Sequence, residues 1–176
     1  MKVIFLRHGQ AEHNVHNEIN QDPNIPVHLT PKGKKQAVEA KKKLGEIEFD
    51  VVFVSDFIRT QETAEIVSKD WGVPIFVDER ISEAKTGFEG KSAVEYNLDS
   101  AHDFYNFKVK GRESWNDVVK RVKNFLKDLK KEKYENVLVV THGWVLQIAD
   151  EIANGIKDEE ARWEEFRNCE FLEFEI

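Results

Sequence analysis

The chain has 176 residues, of which 40% are hydrophobic and 34% charged, with a formal net charge of -7. This length and balance suit one folded domain over residues 1–176 with a sizeable core. The acid excess argues against nucleic acid as the main partner, because a phosphate backbone needs a basic surface, whereas a small phosphorylated metabolite needs only a locally positive pocket.

The first apolar run, Val3-Ile4-Phe5-Leu6, ends at Arg7. It is too short for a signal-peptide core or a membrane span, and no other segment approaches spanning length. Thr30-Pro31 is an N-cap followed by proline at the first helical position, predicting a helix through about Leu44 with Ala37, Ala40 and Leu44 on one face. Asp50–Val54 is a second buried strand, and a helix follows from near Phe57 to Lys69. Val73–Val77 is a further strand candidate. Ser114 with Asp117 three residues on is a capping-box variant that opens a helix, whose Val118, Val122, Phe125 and Leu129 repeat at helical spacing. Asn136–Val140 is a third buried strand, and the helix after Gly143 carries Val145, Ile148, Ala149 and Ile152. Phe171–Ile176 interleaves apolar residues with acids, as an edge strand does.

Alternating strands and helices predict a three-layer α/β/α sandwich with a mostly parallel central sheet. Ligands in such sheets sit at the carboxyl ends of strands. Arg7-His8-Gly9, then Ser55-Asp56 with Arg59, and Thr141-His142-Gly143 each follow a predicted strand, so three strands aim two arginines and two histidines at one rim. Guanidinium forks bind phosphate oxygens in pairs, and fixed cations stabilise a phosphoryl group in transfer. A neutral imidazole attacks phosphorus without first losing a proton. Glycine after each histidine allows close approach of backbone and phosphate.

Leu6-Arg7-His8-Gly9-Gln10 with Asn14 resembles the signature of the histidine phosphatase superfamily, which includes the cofactor-dependent phosphoglycerate mutases. Leu29-Thr30-Pro31-Lys32-Gly33, Ser55-Asp56-Phe57-Ile58-Arg59-Thr60, Glu83 with Gly87-Phe88-Glu89-Gly90, Glu113-Ser114 and Thr141-His142-Gly143 continue the likeness in order. The resemblance implies a phosphoglycerate mutase-like fold and a small metal-independent phosphatase without cofactor. It implies that His8 becomes phosphorylated, that Arg7, Arg59 and His142 hold the phosphoryl oxygens with Asn14 as an added donor, and that Glu83 is the general acid and base. Gln10, Gly143 and Trp144 are further candidate substrate-binding residues. Two positions depart from the family pattern: Ala11 replaces a hydroxyl residue, and Trp144 replaces a small or polar one, either stacking on an organic substrate or packing against the sheet.

Other readings compete. His8, His13, His16 and His28 are grouped early, and His13-x-x-His16 suits two imidazoles on one helical face, but no cysteine or carboxylate pattern completes a metal shell. A non-catalytic phosphate-binding module needs no proton donor at Glu83. A mutase needs cations for a second anionic group; after Gly90 the chain offers Lys91 but also Glu95, Asp99 and Asp103, with Lys108, Lys110 and Arg112 later. Hydrolysis of a small phosphorylated metabolite in the cytoplasm is the expectation, with no nucleic acid or membrane partner and an open oligomeric state. Cys169 is the one cysteine, so no internal disulfide forms, and it reads as a buried thiol on the last strand.

Overall fold

Val3, Ile4, Phe5 and Leu6 are all fully buried because the first strand is covered on both faces. Val3 and Phe5 enter one hydrophobic core and Ile4 and Leu6 the other, as the two-residue repeat of a strand requires. The computed structural model describes residues 1–100, 102–156 and 166–176. Its strands are β1 (Lys2–Arg7), β2 (Val51–Val54), β3 (Ile75–Val77), β4 (Asn136–Thr141) and β5 (Phe171–Glu175). They form one sheet in the order β3-β2-β4-β1-β5, parallel except for β5.

Helices α2 (Pro31–Leu44) and α3 (Ile58–Ser68) cover one face of the sheet, meeting Ile4, Leu6, Val52, Val54, Leu138 and Val140. Helices α5 (Trp115–Leu129) and α6 (Gly143–Asn154) cover the other. The three-layer α/β/α sandwich expected from the sequence is therefore the fold. Caps set the helix boundaries: Thr30 Oγ1 accepts from the Gly33 N–H at 3.0 Å, and Ser114 with Asp117 forms the reciprocal capping box that opens α5.

Two helices went unpredicted. The short α1 (Glu12–His16) lies just after β1, and α4 (Ala93–Ser100) follows Phe88 and Gly90. A signal for α4 was present, since Ser92 stands three residues before Glu95 and the two exchange capping bonds. The third strand starts at Ile75, after Pro74 rather than at Val73, and its three residues are exposed on the sheet edge. Cys169 is buried as expected, but in the turn before β5 and not on the strand. Its backbone holds a φ of 58°, its N–H donates to Arg7 O at 3.1 Å, and burial pushes its thiol up to about 12. Among the described residues no helix is long and apolar enough to cross a membrane.

Candidate active site

Parallel pairing of β1 with β4 sets Arg7 opposite Thr141, so the next residues, His8 and His142, emerge side by side with ring centroids 5.3 Å apart. Val54 pairs with Val140, which brings Ser55 to the same rim. Helix α3 starts just beyond, and Arg59 in its first turn reaches back over both imidazoles. The three motifs read from the sequence thus converge.

His8 and His142 are both sealed from solvent, and their hydrogen bonds fix their protons. Nδ1–H of His8 donates to Gly9 O at 2.7 Å, leaving Nε2 as an acceptor for Arg59 Nε–H at 3.2 Å. Thr60 Oγ1 donates to Phe57 O at 2.7 Å, Ser55 Oγ donates to Thr60 Oγ1 at 2.8 Å, and Ser55 Oγ therefore accepts from Nε2–H of His142 at 2.7 Å. This leaves Nδ1 of His142 to accept from Arg59 Nη2 at 3.2 Å. One guanidinium holds the lone pairs of two neutral histidines. Burial first, and the Arg59 charge second, keep both imidazoles well below the ordinary value. Burial pulls Arg59 itself down to about 10, so it stays charged at neutral pH.

The carboxyl group of Glu83 lies at the same site, on the loop that follows the 3-10 turn Glu79–Ile81. Burial raises its pKa against the opposing pull of the Ala84 N–H, Arg59 and Arg7, which favours the protonated form. Arg121 of α5 supports this loop, donating to Arg80 O at 2.7 Å and Glu83 O at 3.2 Å while paired with Glu113.

A cavity of about 760 Å³ opens beside these groups, with Arg7, His13, Glu83, Tyr96 and Trp144 in its wall. Gln10 and Asn14 also line it. The Oε1 of Gln10 is bonded to the Thr30 hydroxyl at 2.9 Å, and Asn14 donates from Nδ2 to His13. Trp144 lines the cavity and packs not against the sheet but against Trp115 of α5 at 4.9 Å and Tyr96 of α4 at 5.5 Å. His13 lines the cavity, whereas its helical neighbour His16 is exposed.

Several expectations need correction. The wall contributed by α4 is Tyr96 and Asn97; Glu95, Asp99 and Asp103 do not line the cavity, and neither do Lys91, Lys108, Lys110 and Arg112. Glu95 caps its own helix, Lys108 pairs with Asp117 at 3.0 Å and Lys91 packs over the Phe88 ring. Cations on the wall come instead from Arg7, Lys32 and Arg167. The glycine after His8 is required by helix packing: a Cβ on Gly9 would lie 2.5 Å from Gly33 O. A Cβ on Gly143 would make only ordinary contact with Arg7 at 3.6 Å.

Sequence reasoning missed Asn20, which anchors Arg59 by accepting from Nη1 at Oδ1 and from Nη2 at its backbone oxygen, the latter at 3.1 Å. Asn20 is in turn held by Glu89 Oε1 at 3.0 Å, and Glu89 also accepts from the Gln21 and Asp22 N–H groups. It missed Asn168, whose Nδ2 donates to His8 O at 3.2 Å. Neither lies in a periodic segment, so only the pairing of Asn20-Gln21 with the Glu89 motif could have hinted at them.

The profile described as histidine phosphatase superfamily (branch 1) matches residues 3–176. A protein of Hydrogenobacter thermophilus named "Putative phosphoserine phosphatase 2" is 33% identical over 165 residues, which are 89% of this chain and 80% of that protein. "Probable phosphoglycerate mutase GpmB" of Enterobacter sp. is 28% identical over 178 residues, covering 96% of this chain and 82% of that one. Among solved structures, the alpha-ribazole phosphatase from Shigella flexneri superposes with a TM-score of 0.87 at 23% identity, over 100% of this chain and 91% of its own; that likeness speaks for the fold. With the profile matched from β1 through β5 and its histidine motifs meeting at adjoining strand ends, the chain belongs to the histidine phosphatase superfamily.

Proposed function

We propose that this protein hydrolyses a small phosphomonoester through a phosphohistidine on His8. The observation that carries the reading is the protonation pattern of His8: with Nδ1–H spent on Gly9 O, the Nε2 lone pair is held at the Arg59 guanidinium, where a phosphoryl group would seat. Arg59 and Arg7 take the equatorial oxygens, and His142 stands beside them. As the bond from Nε2 to phosphorus forms and the ester P–O bond breaks, Glu83 gives its proton to the leaving alkoxide. The Glu83 carboxylate then takes a proton from water, whose oxygen attacks phosphorus and breaks the P–N bond. Inorganic phosphate leaves, and His8 and Glu83 return to their starting protonation.

No resident metal has a part in this scheme, so added chelator leaves turnover unchanged. The reading places the enzyme in the cytoplasm, acting on metabolites rather than on nucleic acid or membranes. The relative named for phosphoserine hydrolysis supports a small organic phosphate as substrate. Rapid quench with labelled substrate tests the mechanism: an acid-labile, base-stable label is expected on the wild type and none on His8→Ala. Near-normal turnover by that variant would refute the reading.

One observation favours a second reading, phosphoryl transfer to another hydroxyl of the same substrate. Lys32 and Arg167 on the cavity wall offer charge for a second anionic group. Incubation with 3-phosphoglycerate and catalytic 2,3-bisphosphoglycerate separates the two: hydrolysis predicts phosphate release outpacing isomerisation, and the reverse result selects the transferase.

A further inference from the structure

His13 is the histidine that the phosphatase scheme leaves without a task. It lies on α1, its ring centroid 5.7 Å from that of His8, and it lines the cavity beside Arg7 and Asn14. Its protonation can be read from its neighbours. Asn14 Oδ1 accepts from the Ala11 N–H at 3.0 Å and from Asn168 Nδ2 at 3.3 Å, which fixes the orientation of that amide. Asn14 Nδ2 must then donate to Nε2 of His13 at 3.0 Å. Nε2 carries the lone pair and the imidazole proton sits on Nδ1.

Nδ1 of His13 is sealed from solvent and has no hydrogen-bond partner among the described residues. An N–H buried without an acceptor costs stability, and its persistence at a functional site calls for a partner that arrives later. A metal does not fit, because the Nε2 lone pair is taken by Asn14 and Nδ1 bears hydrogen. An anion does: Nδ1–H needs an acceptor, and Arg7 and Arg59 already set a positive potential there. Burial first, then Arg59 and Arg7, hold His13 down to about 3, so it meets the substrate as a neutral donor.

We infer that His13 is a further phosphate-binding residue, its Nδ1–H donating to an oxygen of the phosphoryl group being transferred to His8. This assignment rests on the phosphatase reading of the site. It adds a neutral donor to the cationic seat and gives the buried N–H its acceptor. The donor belongs to this chain's sequence at His13 and to the Asn14 and Asn168 amides that orient it.

Orthovanadate, a mimic of the transferred group, provides the test. His13→Phe keeps a ring of similar shape and removes the N–H, and should weaken vanadate binding about 10- to 100-fold. The substitution removes one unpaired buried donor but also takes the acceptor from Asn14 Nδ2, so the vanadate-free variant should melt close to wild type and the loss should appear in vanadate affinity. In the wild type, nitrogen NMR of the imidazoles should show His13 protonated on Nδ1 and that N–H resonance moving downfield when vanadate is added. Unchanged vanadate affinity in the variant overturns the inference, as does a resonance that does not move. If the wild type binds no vanadate at all, the phosphatase reading falls and this one with it; retained wild-type binding with an indifferent variant removes only the role of His13.

Discussion

Arg59 donates from Nε to Nε2 of His8 at 3.2 Å, so the nitrogen that would attack phosphorus is occupied until substrate arrives. In the proposed reaction the same guanidinium turns its N–H groups from the imidazoles to the phosphate oxygens as the complex forms. Arg59→Lys keeps a charge but cannot serve both histidines and Asn20 at once. We expect kcat on a phenyl phosphate to fall by about 10²–10³ with the fold retained by circular dichroism. A variant within a few-fold of wild type would mean that the fork geometry is unimportant.

Glu83 should matter in proportion to the basicity of the leaving group. Glu83→Gln is expected to lose about 10²–10⁴-fold on alkyl phosphates and little on nitrophenyl phosphate, whose phenolate departs without a proton. Equal losses on the two substrates would assign Glu83 to binding or folding instead.

Stability should fall on mild acidification. His8, His13 and His142 all have folded values below the ordinary 6.5, so the unfolded chain binds more protons below that pH. Their contribution is fully present above pH 6.5 and is lost as pH drops toward the folded values, at about 1.4 kcal/mol per histidine per pH unit. Glu83 has the opposite sign: its raised value contributes most below the ordinary 4.5 and that contribution is lost as pH rises through the folded value. Thermal melts at a series of pH values from neutral to about 5 should show a steep decline that is shallower in His13→Phe. A flat profile would contradict the neutral, buried assignment of the imidazoles.

Helix α2 abuts the backbone that follows His8. A Cβ on Gly33 would come within 2.0 Å of Gln10 O, and the clash is with main chain that cannot step aside. Gly33→Ala should therefore destabilise the protein by about 1–3 kcal/mol or prevent folding, and any folded fraction should show impaired turnover because Gly9 and Gln10 are displaced. Gly143→Ala, where the added carbon finds ordinary contact, should melt close to wild type. Chemical denaturation of the pair decides it: equal stabilities would show that the contact is relieved at little cost.

The strands ending at Arg7, Val54 and Thr141 were legible because buried parallel strands read as apolar runs and their ends carry the chemistry. Their order was not: that His8 touches His142 follows from β1 pairing with β4, a non-local choice that no local pattern encodes. The long loop that delivers Asn20 to Arg59 has no periodicity, and non-local bonds fix it: Ile19 pairs its backbone with Gly90 and Lys91, and Glu89 holds Asn20 and Gln21. Counting charges after Gly90 misjudged the cavity wall because α4 presents Tyr96 and Asn97 there instead of its acids. Asn14 was expected as a donor to the phosphoryl group; that its Nδ2 bonds Nε2 of His13 was not legible, because adjacent residues in a short helix carry no spacing signal for such a bond.

The contacts around His8 join residues far apart along the chain: Arg59 lies 51 positions away and Asn168 lies 160. Helices can form early from local bonds during refolding, yet none of those bonds builds this site. Turnover should thus recover later than helical circular dichroism when the denatured protein is diluted into buffer. An activity assay would then report completed assembly of the sheet, since it demands β1, β4 and the turn before β5 together.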